Sequence, residues 1–145
     1  MRSAGLALVF TLVAPCVAMA DGASDAALLA RFGALGLTAV DCSAPPATAN
    51  PYVEYALKNG KVARRLQMGQ PKLDGEYETR NVRQLDARRL RMESSDASGA
   101  YATVTMMFDG ATHYAEHSER DGKVFIDNGR FTSGGPVPRF VRCGR

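Results

Sequence analysis

The stretch that decides the fold is Tyr101-Ala102-Thr103-Val104-Thr105-Met106-Met107-Phe108-Asp109-Gly110-Ala111-Thr112-His113-Tyr114-Ala115-Glu116-His117-Ser118-Glu119. Apolar and polar residues alternate on both sides of Asp109-Gly110, a dipeptide that supplies the positive backbone angles of a two-residue hairpin turn. Centred there, Phe108 faces Ala111, Met106 faces His113, Val104 faces Ala115 and Ala102 faces His117. The other face sets Thr105 against Tyr114 and Thr103 against Glu116, a pattern expected of a solvent-facing side.

The same alternation continues outward. Around Asn59-Gly60, Leu57 pairs with Val62, Tyr55 with Arg64 and Val53 with Leu66, while Glu54 meets Arg65 on the opposite face. A weaker turn at Asp86-Ala87 sets Arg83 against Leu90 and Asn81 against Met92, with Arg80 and Glu93 on the other side. A two-residue turn at Asp121-Gly122 would oppose Glu116 to Asp127 and Arg120 to Lys123, so a longer loop is expected there. Alternating runs near 38–42, 52–58, 61–68, 76–85, 88–94, 101–108, 111–119 and 123–127 amount to about eight strands. The fold class is therefore mainly β: an antiparallel up-and-down meander forming a closed or partly open barrel. One amphipathic helix precedes it, capped by Ser24 and running from Ala27 to Leu35, with Leu28, Leu29, Phe32 and Leu35 on one stripe and Gly36 as its stop.

Composition agrees with one ordinary domain: 145 residues, 46% hydrophobic, 23% charged, with a net charge of +3 too small and too evenly spread for a nucleic-acid protein. Residues 1–20 read as a signal peptide. Arg2 opens it, an apolar run from Ala4 to Val17 follows, and Ala18-Met19-Ala20 places cleavage after Ala20. The run is short, contains Pro15 and is followed by acidic Asp21 and Asp25, which argues against a retained membrane anchor. Pro15 before Cys16 argues against lipidation. The mature chain, 21–145, then carries 17 basic and 15 acidic side chains and two cysteines. In an oxidising compartment, periplasmic or secreted, an even pair reads as a disulfide, here Cys42 to Cys143.

Chemical motifs are sparse. His113 and His117 have the four-residue spacing of a helical metal pair, but on a strand that spacing spans about 13 Å and one zinc cannot bridge it. No metal or cofactor is implied. The glycine-rich 129–135 segment lacks the Lys-Ser/Thr and helix of a phosphate loop, and no nucleophile elbow exists, so no catalytic residue is assigned. Arg80, Arg83, Arg88, Arg89 and Arg91 cluster, yet alternation spreads them over both faces among acidic neighbours, as a solvated and partly paired surface.

One anomaly stands out. The register places Arg64, Arg83, His113 and His117 on the core-facing side, with Tyr55, Tyr77 and Asn81. A charge inside a packed core is costly unless paired. Either these groups line a cavity that receives an anionic, lipid-like amphiphile, or they reach water at a barrel mouth or through a slip in register.

The order of helix, Asp41-Cys42-Ser43, Asn50-Pro51 and terminal Arg142-Cys143 behind an exported leader resembles a set of small exported proteins of Gram-negative bacteria. In architecture the chain also resembles lipocalin-like barrels, although Gly36-Leu37-Thr38 stands where that family carries Gly-x-Trp. The resemblance implies a barrel and export, and no activity. The expectation is a monomeric, non-enzymatic exported protein that binds a small anionic amphiphile through Tyr55, Arg64, Tyr77, Arg83, His113 and His117. The alternative is a filled-core interaction or envelope-stabilising module with an exposed apolar patch around Tyr101, Met107 and Tyr114. Neither reading involves nucleic acid or a stable membrane anchor.

Overall fold

The computed structural model describes residues 22–144; the signal peptide expected at 1–20 lies outside the described residues. Helix α1 (Gly22–Arg31) is followed by β1 (Gly36–Ala39), β2 (Tyr52–Lys58), β3 (Lys61–Gln67), β4 (Gly75–Gln84) and β5 (Arg89–Ser95). Then come β6 (Tyr101–Asp109), β7 (Thr112–Arg120), β8 (Lys123–Asp127), β9 (Arg130–Phe131) and β10 (Phe140–Arg142). Strands β1 to β7 pair in sequence order, and β10 pairs with both β1 and β7, closing an eight-stranded antiparallel barrel. The closing strand is not the 123–127 run that alternation suggested. β7 offers the same edge in two parts: Thr112 and His113 bind β10, whereas Ser118 to Arg120 bind β8. Strands β8 and β9 thus form an extra hairpin on the far part of β7. At three residues, β10 is too short for periodicity to reveal.

The Asn59-Gly60 hairpin forms in the expected register, Leu57 to Val62, Tyr55 to Arg64 and Val53 to Leu66, because both turn residues adopt positive φ, 50° and 75°. The other hairpins depart from simple alternation. In β6–β7 the turn residues are Gly110 and Ala111, so Phe108 faces His113 and Met106 faces Ala115. A bulge between Thr105 and Met106 then sets Thr105 against His117 and Val104 against Ser118. A second bulge lies at Asn81, whose φ is 54°, and beyond it Arg83 pairs with Arg91. The turn at Asp121-Gly122 is tight after all, with Arg120 opposite Lys123. Arg120 is drawn to Asp96, and both cations lie near the Phe125 ring.

Helix α1 packs against β2, β3 and β4 and fills one end of the barrel. Its bounds differ from the expected ones: Ser24 lies inside the helix, and the chain leaves it at Gly33, φ 78°, so Leu35 falls beyond it. A ten-residue helix is marginal alone and is held by packing. Leu29 is fully buried with Ala26, Val62, Leu90 and Met92, and Phe32 meets Phe108 edge to face at 5.0 Å. The helix start approaches the Asn59-Gly60 turn so closely that a Cβ at Gly22 would sit 2.7 Å from the Lys61 Cα. Asp25 tethers the helix further by accepting the Val82 N–H at 3.1 Å, the amide beside the Asn81 bulge.

The loop after β1 is stiffened by buried Asn50, whose side chain accepts the Asp41 N–H and donates to the Asp41, Ala44 and Pro45 carbonyls. It carries Cys42, which is bonded to Cys143 just beyond β10, with a Cα separation of 5.5 Å. The cross-link therefore joins the segments flanking the β1–β10 seam, across a sequence separation of 101 residues. Replacing both cysteines by serine is expected to lower the unfolding free energy by about 2–5 kcal/mol in a urea titration. Leu29→Ala, which empties the plugged end, should cost about 2–5 kcal/mol in the same measurement.

Candidate functional site

Away from the helix the barrel is hollow. A cavity of about 390 Å³ lies between β2 and β3 on one side and β6 and β7 on the other. Its walls are mainly apolar, with Val53, Leu66, Val104, Met106 and Ala115 among them. Pro51, Met68, Ile126, Phe131 and Pro138 also line it, so the β8–β9 hairpin contributes to its boundary.

Tyr55 and Arg64 face this cavity as a cross-strand pair on β2 and β3. The Arg64 Nη2 donates to the Ser95 carbonyl at 3.0 Å, and its guanidinium lies 5.4 Å from the Tyr77 ring centre. Its Nε is buried without a hydrogen-bond partner, and no carboxylate forms an ion pair with Arg64 among the described residues. Burial pushes the Tyr55 phenol above its ordinary value, with nearby Arg64 pulling the other way. At neutral pH the phenol is a neutral donor, and its hydroxyl has no hydrogen-bond partner among the described residues. The one carboxylate in the lining, Asp96, is held down to about 2 by hydrogen bonds from Ser98, with Arg120 adding to the effect. It is already engaged by those groups.

Tyr77 stands beside Arg64 but does not line the cavity; its hydroxyl donates to the Leu73 carbonyl at 2.7 Å. Arg83 faces outward and is exposed, because the Asn81 bulge gives its expected inward place to buried Val82. Asn81, also expected inside, is exposed and donates to Glu93. His117 is likewise displaced from the core side. The β6–β7 bulge turns it outward, between Glu119 and Asp127 at 3.5 Å each, and puts Ser118 into the lining instead. Ser118 was missed because only the bulge brings it inside.

His113 does face inward, 5% exposed, its ring stacked between Phe108 and Phe140 at centroid distances of 5.4 and 5.6 Å. Burial pushes its pKa from 6.5 down to about 4, so at neutral pH its imidazole is uncharged. It makes no hydrogen bond to a nucleophile or carboxylate among the described residues.

The outer face carries no bare apolar patch at the expected place. Met107 is 8% exposed, Tyr101 lies 3.7 Å beneath the Arg80 guanidinium and Tyr114 lies 4.1 Å beneath that of Arg139. The arginine cluster is partly paired, Arg80 with Glu93, Arg88 with Asp109, and Arg89 with Asp86 and Glu116.

The imidazole sets a pH dependence. Unfolding restores the ordinary value of 6.5, so between pH 6.5 and about 4 the unfolded chain binds more protons and stability falls as pH drops. Above pH 6.5 this contribution is fully present. Across that window the wild type should lose about 3 kcal/mol more than His113→Phe in parallel denaturant titrations.

Comparison with protein-family models, with curated proteins and with solved structures finds no match for the chain, so the meaning of this site rests on its own geometry.

Proposed function

We propose that this is an exported binding protein that holds a small anionic amphiphile inside its barrel and catalyses no reaction. The observation that carries this reading is Arg64: a guanidinium lining an apolar cavity, without a carboxylate partner and with a buried, unpaired Nε. A lone charge so placed is costly, and a carboxylate or similar anion would offset that cost through charge-assisted hydrogen bonds. Tyr55 adds a neutral donor beside it. The volume, about 390 Å³, lies near the small end of the range for ligand pockets, about 300–1,000 Å³, and suits a medium-chain or single-ring amphiphile.

Export is supported by the Cys42–Cys143 bond, which fits an oxidising compartment, and by the signal-peptide pattern of residues 1–20. Among the described residues no helix is long and apolar enough to cross a membrane. A filled-core interaction module fits less well, since the barrel is hollow and Tyr101 and Tyr114 lie under arginines.

Native mass spectrometry of the freshly purified protein should show a bound small molecule, and decanoate should raise its Tm. Arg64→Met should weaken decanoate binding by on the order of ten- to a hundredfold in calorimetric titration. A clean apo mass with no thermal shift from decanoate or related anions would overturn the proposal.

A further inference from the structure

Among the described residues, cation opposes cation at three cross-strand positions: Lys58 with Lys61, Arg120 with Lys123, and Arg83 with Arg91. Like charges directly opposite destabilise a sheet. In two of the three cases a carboxylate relieves the repulsion. Lys58 pairs with Glu76 and Lys61 with Glu78, and Arg120 pairs with Asp96. Arg83 and Arg91 have neither an ion pair nor a hydrogen bond among the described residues.

The fold makes this pair. The bulge at Asn81 turns Arg83 to the outer face, where its register partner on β5 is Arg91, set between buried Leu90 and Met92. Both arginines are exposed. The other charges on this face of β5 are already matched: Glu93 accepts from Arg80 and Asn81, and Arg89 pairs with Asp86 and Glu116. Arg83 acts on Glu93 through space and forms no ion pair with it. The row continues onto β6, where Thr105 stands opposite Arg91 with its hydroxyl unengaged among the described residues. It ends on β7 at His117, which lies between Glu119 and Asp127. Neighbouring strands are about 4.8 Å apart, so two guanidiniums and a hydroxyl on β4, β5 and β6 are close enough to reach one small group.

The complement of that row is an anion of charge two. A carboxylate would match one guanidinium and leave the other. A phosphate monoester brings about −1.5 to −2 charges at neutral pH and three acceptor oxygens, and its bonds to arginine are charge-assisted. We infer that Arg83, Arg91 and Thr105 form an outward-facing site that binds a phosphate monoester group. The site lies on the opposite side of the barrel wall from the cavity, which Ser94, Val104 and Met106 of β5 and β6 line, and it does not depend on the Arg64 reading. Soluble phosphate esters and phosphatidic acid headgroups both present this group.

Titration with phenyl phosphate, followed by amide chemical shifts, should give a Kd on the order of 1 mM, with the largest changes around Arg83, Arg91 and Thr105. Arg83→Gln and Arg91→Gln should each weaken binding by about tenfold or more. Arg88→Gln, outside the row and paired with Asp109, should leave it unchanged. Without phosphate, the Arg83 and Arg91 variants should melt no lower than the wild type, because each removes one of two opposed charges. A lower Tm in both would overturn the premise of an unmatched pair. Sedimentation with phosphatidylcholine vesicles, with and without phosphatidic acid, separates the two sources. Retention on phosphatidic acid vesicles that both glutamine variants lose supports the site and marks a lipid headgroup. Phenyl phosphate binding without such retention supports it and marks a soluble ester. Binding of neither probe, or binding that both glutamine variants keep, would overturn the inference and leave the cavity reading standing.

Discussion

The interior of this protein exists because β10 finds two partners at once. A sheet ending at β1 and β7 would present two rows of unpaired backbone groups and open its concave face to water. β10 covers both edges with three residues, bonding Thr38 and Ala39 on one side and Thr112 and His113 on the other. So short a strand makes few hydrogen bonds, and the Cys42–Cys143 bond just beyond it holds the seam in register. Phe140, fixed by that pairing, is also one of the two rings enclosing His113. Closure and the shape of the cavity are thus one event.

Which side chains enter that interior is settled by the bulges. Side chains alternate along a strand, so one extra residue exchanges the two faces from that point on. On β4 the exchange removes Arg83 and brings in Val82, next to the helix, where Asp25 accepts the Val82 amide. On β7 it removes His117 and brings in Ser118. Both changes replace an ionisable side chain with a smaller, uncharged one, which lowers the desolvation cost of the core. The β2–β3 hairpin has no bulge, and Arg64 keeps its inward place.

The two ends of the barrel consequently differ in kind. Beneath the helix, Leu29, Leu90, Met92 and Val62 pack at essentially zero exposure and supply stability. At the other end the same barrel encloses a cavity of about 390 Å³, mainly apolar, into which Tyr55 and Arg64 point. The lining's carboxylate, Asp96, pairs with Arg120 and not with Arg64, whose guanidinium donates to the Ser95 carbonyl.

Turn chemistry and two-residue periodicity are local, and they already specify the antiparallel meander, the helix in front of it, the Tyr55–Arg64 pairing across Asn59-Gly60 and the inward face of His113. The disulfide was legible too, since Cys42 and Cys143 are the two cysteines outside the stretch that reads as a leader. The bulges at Asn81 and in the β6–β7 hairpin were not. Asn81 carries positive φ, which asparagine tolerates anywhere, so its identity alone does not announce a break in the ladder. The identity of the closing strand was also hidden, because β10 is stabilised by partners roughly 30 and 100 residues away and by almost nothing within itself. Angles at a turn are set by the residues that make it; register past a bulge, and the strand that seals a barrel, are set by contacts that form only when distant segments meet.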